Sequence, residues 1–124
     1  MQSLKQKLLP PFLVLSGILC LSAYPLVLVW PSGWAWGDAG MHYLHMMLSI
    51  YAVLGVFLIL AARNPSAHRS LLQFTAWSSA AHGGLMTVQS VMMDQPGHLL
   101  GDVPAMLGLA IVLAILMPAR SPAV

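Results

Sequence analysis

The residues best suited to chemistry crowd into Gly37–Met47, GDAGMHYLHMM. His42 and His45 lie three apart, so a helix presents both on one face, and Met41, Met46 and Met47 surround them. Imidazole and thioether are copper ligands, and imidazole with or without thioether can hold haem iron. Met86, Met92, Met93, Met106 and His98 fall toward the same side of the apolar segments, with His82 nearer their middle. The candidate metal ligands are therefore His42, His45, Met41, Met46, His82 and His98, with copper or haem as the cofactor. The competing reading is structural: methionine fills apolar helices, and histidine bonds across them. No HxxM-type or cysteine-containing signature fixes a ligand geometry. Along ideal helices, His45 lies roughly 10 Å from Asp38 and His82 roughly 18 Å from Asp94, a mismatch of roughly 8 Å for two axial haem ligands. Gln89 matches His45 better in depth, and that pair reads as an interhelical hydrogen bond.

Apolar helices must position these groups. The chain has 124 residues, 59% hydrophobic and 6% charged. A water-soluble surface needs roughly a quarter charged residues, so most of this surface must face lipid. The lone Cys20 can form no internal disulfide, and a net charge of +2 is too small to suggest nucleic acid.

Four apolar runs stand out as membrane spans, at about residues 10–30, 39–62, 70–93 and 103–117, within a single domain of residues 1–124. MQSLKQK followed by an apolar run resembles a signal peptide, but no small-x-small site closes it, so an uncleaved first span is expected. Pro10 and Pro11 suit a helix start, and Pro25 predicts a kink near Tyr24. Trp30, Trp34 and Trp36 mark an interfacial loop. The fourth run covers roughly 22 Å against an apolar bilayer core of roughly 30 Å, so it begins earlier, near Leu99, or the bilayer thins.

The charges sort by side. Lys5, Lys7, Arg63, Arg69 and Arg120 fall on one side of the four runs, and Asp38, Asp94 and Asp102 on the other. The positive-inside tendency then places both termini in the cytoplasm of a protein integral to the inner membrane. Polar residues should turn from lipid toward one another. Thr75, Ser79, His82, Met86, Gln89 and Met93 form one helical stripe; Asp38, His42, His45, Ser49 and Ala52 form another. The expected fold is an all-α, four-transmembrane-helix bundle. Its outer half carries a polar seam through Asp38, Ser49, Ser79, Gln89 and Asp102. Asp38 and Asp102 also suit helix caps. Gly55, Gly83 and Gly84 allow close helix approach. The inner half offers only Ser16, Thr75 and Ser79, too few for a proton path across the bilayer.

PSGWAWGDAGM at Pro31–Met41 echoes PGHLLGDVPAM at Pro96–Met106, and Ala62–Pro65 echoes Ala119–Pro122. One reading is two similar helical hairpins in a parallel repeat; the other is that caps and turns recur because their physics recurs.

With ARNPSAHRSLLQFTAWSSAAHGGLM at Ala62–Met86 in view, the chain resembles uncharacterised small bacterial membrane protein families with four spans. Its hairpin layout is similar to that of the broad DoxX-like group. That resemblance implies an accessory role beside membrane quinone or sulfur redox systems.

No phosphate loop, nucleophile elbow, cysteine pair or HExxH appears. The chain is expected to be a non-catalytic accessory or assembling subunit, a homo-oligomer or part of a larger membrane complex, with lipid around it. The alternative is a copper- or haem-binding module using the His/Met cluster. A solute channel is opposed by the apolar stretch Val53–Leu60.

Overall fold

The computed structural model describes residues 2–35 and 41–119, without the side chains of Gln2, Met41 and His42. Trp36, Asp38 and Arg120, each given a role above, lie outside the described residues, as does most of the Ala119–Pro122 echo. Among the described residues the chain is all-helical: α1 (Gln2–Leu21), α2 (Ala23–Val29), α3 (Pro31–Trp34), α4 (Met41–Ala61), α5 (Arg69–Met92) and α6 (Asp102–Leu116). Single 3-10 turns, Pro65–His68 and Pro96–Leu99, precede α5 and α6. Three segments are long and apolar enough to cross a membrane: Ser3–Leu21, Tyr43–Ala61 and Pro96–Leu116. The last includes the turn before α6 and reaches back beyond Val103.

Local chemistry corrects two boundaries. α1 starts at Gln2, and Pro10 and Pro11 sit inside it rather than at its head. The carbonyls they leave without in-helix partners belong to Gln6 and Lys7, on an exposed turn where water or headgroups can take them. The kink expected near Tyr24 is a break at Ser22. The ring of Pro25 excludes the carbonyl four residues back, that of Leu21, so the disruption appears upstream of the proline. α5 ends in a Schellman turn. Asp94 takes φ 53°, the Gln95 N–H donates to the Ser90 carbonyl at 2.9 Å, and the Asp94 N–H donates to that of Val91 at 3.3 Å.

Two antiparallel hairpins result, α1 with α4 and α5 with α6. Glycine sets the first crossing. A Cβ on Gly17 would stand 2.5 Å from the Gly55 carbonyl oxygen, and one on Gly55 would stand 2.6 Å from that of Gly17. Backbones approach this closely only where neither residue carries a side chain. Gly83 likewise admits Leu107 of α6, whereas Gly84, grouped with it above, faces open space. Arg69 ties the second hairpin, its Nε donating to the Pro118 carbonyl at 2.9 Å.

The hairpins meet in two ways. Toward the basic end, Leu9 and Leu13 of α1, Leu58 of α4, Leu72 of α5, and Leu113 and Leu116 of α6 form a closed core, each less than a tenth exposed. Toward the acidic end, α3 seats on the Pro96–Leu99 turn, with Gly97 against the Ser32 carbonyl and Gly101 against that of Gly33. These are the echoing segments. Each opens with proline and makes one helical turn, and the two turns pack on each other.

Candidate functional site

The alternation of the α5 stripe is right, but its phase is different. The buried face runs Leu72, Ala76, Ser79, Gly83, Met86 and Ser90, with Thr75 beside it. Of the expected stripe, Thr75, Ser79 and Met86 are buried, whereas Met93 and Gln89 are exposed. Hydroxyls on this helix are mostly satisfied locally: Thr75 donates to the Leu71 carbonyl at 2.8 Å and Thr87 to that of Gly83 at 2.7 Å. The face is therefore a small-residue seat for α6 rather than a polar seam.

On α4 the expected face is turned outward. Leu44, Leu48, Tyr51, Gly55 and Leu58 point in, because the Gly17–Gly55 crossing fixes the rotation of the helix. Ser49 is exposed and donates to the Met46 carbonyl at 2.6 Å. His45 is exposed and meets Tyr24 of α2 edge-on, ring centroids 5.9 Å apart, so it makes no bond to Gln89. Met46 is 60% exposed. His82 pairs with Tyr51, and His98 is buried against Asp102. No set of three or more His, Cys, Asp or Glu residues converges for a metal ion among the described residues. The side chains of Met41 and His42 lie outside that description.

Asp102 opens α6, where its charge suits the helix dipole. Its carboxylate accepts from His98 Nδ1 at 2.9 and 3.1 Å, with both residues buried. This pair braces the second turn against the head of α6.

What the outward rotation of α4 leaves is a cleft. It has a volume of about 300 Å³ and lies between α4 on one side and α5 and α6 on the other, with α1–α3 behind. Along α4 its lining runs from Tyr43 to Tyr51, and along α5 from His82 to Gln89. At 1.5 Å per residue it is about 12 Å deep. Its walls are apolar, including Leu48, Met47, Leu85 and Met106. Tyr43 and Leu85, on opposite lips, are 72% and 58% exposed, so it opens sideways between α4 and α5. Those two helices pack little against each other, and the Tyr51 hydroxyl bonded to His82 Nδ1 bridges them at the floor. Gln89, Asp102 and Trp34 stand near the mouth. Trp34 Nε1 is buried and has no hydrogen-bond partner among the described residues.

The family model described as Family of unknown function (DUF6632) matches residues 4–122. The chain belongs to DUF6632. No curated protein and no solved structure matches it. In this DUF6632 protein every residue lining the cleft falls inside the matched stretch.

Tyr51 and Trp34 were missed as site residues. A phenol inside an apolar span needs a partner, and depth could have named it. Tyr51 lies about 15 Å before the end of α4 and His82 about 20 Å after the start of α5, similar heights above their shared turn. Trp34 reads as a lipid anchor in sequence, and nothing there says that it folds inward.

Proposed function

We propose that this DUF6632 protein is a four-span protein of the bacterial cytoplasmic membrane, with the DoxX-like hairpin layout and both termini in the cytoplasm. On this reading it is an accessory subunit without catalysis of its own, and it holds an apolar molecule in the cleft between α4 and α5. The carrying observation is the cleft itself: apolar walls, a volume of about 300 Å³ and exposed lips at Tyr43 and Leu85. That volume is at the low end of small-molecule sites, and an apolar pocket with few polar groups is their usual form.

Counting α5 as a span rests on its outer face. Phe74, Trp77, Leu85, Val88 and Met92 are all more than half exposed, and the hydroxyls of Thr75 and Thr87 are spent within the helix. At 24 residues it is about 36 Å long, enough to cross. Orientation rests on Lys5, Arg63 and Arg69 gathering at one end. The copper or haem alternative draws less support, because no three His, Cys, Asp or Glu converge among the described residues and His45 is exposed against Tyr24.

Native mass spectrometry on membrane-purified protein tests the proposal. A retained small apolar molecule, with the protein in a larger assembly, is the expected result. Ala105→Phe, which fills the cleft, should lose the molecule and keep the fold. A bare monomer carrying neither ligand nor partner would overturn the reading.

A further inference from the structure

At two places in the cleft a hydrogen-bond donor is left without a partner among the described residues, and these donors select a ligand. Tyr51 and a neutral His82 together carry two polar hydrogens, one O–H and one N–H. Their mutual bond consumes one. If the phenol donates to Nδ1, the Nε2–H is left over; if Nδ1–H donates, the phenolic hydrogen is left over. In either tautomer one donor remains, and no partner for it is found among the described residues. Trp34 Nε1–H, at the other end of the cleft, is a second donor without a partner there. A donor left unmade in apolar surroundings is costly, most of all the buried Trp34 Nε1–H, so a ligand that supplies an acceptor is favoured.

The charges select further. Among the described residues no lysine or arginine lines the cleft. The one carboxylate on its wall among the described residues, Asp102, is held by His98. A phosphate or carboxylate head would enter without a cation and beside an existing negative charge, which low dielectric penalises.

From these we infer that the cleft binds an electrically neutral, lipid-soluble molecule whose oxygens accept hydrogen bonds, such as an ester, ketone or ether. One oxygen sits at the Tyr51–His82 floor or at Trp34, and any tail leaves between Tyr43 and Leu85. This rests on the cleft being a binding site, and the test separates the two claims. Protein in nanodiscs is titrated with four probes of equal chain length: hexadecane, methyl hexadecanoate, hexadecanoate and hexadecylammonium. Their displacement of a cleft-bound apolar fluorophore is compared at equal bilayer mole fraction, which removes differences in partition. Methyl hexadecanoate should bind about tenfold tighter than hexadecane, the worth of one hydrogen bond to an otherwise unpaired donor. Both charged probes should bind more weakly than the ester. Tyr51→Phe alone leaves the His82 N–H as a donor, so the floor is tested by the double variant Tyr51→Phe/His82→Phe. That variant or Trp34→Phe, whichever end holds the oxygen, should reduce the ester's advantage and leave hexadecane unchanged. The Trp34 variant, outside the hairpin contacts of α4 and α5, stands if the other misfolds. Equal binding of ester and alkane, or preference for either charged probe, overturns the inference and leaves the cleft a site. Failure of every probe to displace the fluorophore overturns both.

Discussion

The two ends of this molecule are built from the same helices and differ in how those helices fill space. At the basic end, leucines from α1, α4, α5 and α6 interlock, and Leu13, Leu58, Leu72 and Leu113 have no exposed surface. At the acidic end the same four helices enclose about 300 Å³ of open cleft. The difference begins at the Gly17–Gly55 contact. Below it α1 and α4 touch closely and the core closes. Above it α1 breaks at Ser22, α4 is left with smaller partners, and Tyr51 reaches across to His82 instead of a leucine. A bundle is thus stable at one end while leaving room at the other.

The comparison can be broken most violently at the crossing. Gly55→Leu places a side chain into the Gly17 backbone, and the protein should fail to accumulate in membranes, as read by immunoblot. Gly84→Ala is its control: nothing lies within 4 Å, so stability should hold or rise by up to about 1 kcal/mol through helix propensity. Next come the two ends themselves. Leu113→Ala, in the closed core, should cost about 3 kcal/mol in reversible detergent unfolding. Leu85→Ala, on the exposed lip, should cost less than about 1 kcal/mol. Equal costs would mean that the ends are not packed differently.

A smaller effect is expected at the basic end of α5. Arg69→Ala removes the donor to Pro118 and should cost about 1 kcal/mol by the same unfolding assay. Smallest is Asp94→Gly at the Schellman turn. Glycine adopts φ 53° freely, so the variant should be neutral or more stable by less than about 1 kcal/mol. A loss there would show that the Asp94 side chain does more than tolerate the turn.

Periodicity and turn chemistry carried a good part of this structure. The helical segments, the turns at Pro65 and Pro96, and the sorting of Lys5, Arg63 and Arg69 from Asp94 and Asp102 were all legible. So was the pairing of two similar hairpins as one of two readings, because proline-first turns recur where the chain must reverse. The candidate site was far less legible. His45, Met46 and Ser49 share a helical face in sequence, but which way that face points depends on a glycine contact to another helix. Two interleaved stripes fit the residues of α5 equally well by spacing, and only packing against α6 chose the one through Gly83 and Ser90.

By itself the sequence determined that the chain is helical, where its polar turns at Pro65 and Pro96 fall, and that most of its surface is apolar. These follow from backbone propensity, proline chemistry and hydropathy, which act within a few residues. Tertiary structure alone decided that Tyr51 meets His82, that Trp34 turns inward and that a cleft remains between α4 and α5. Those outcomes depend on helix rotation and crossing, set by contacts between residues tens of positions apart.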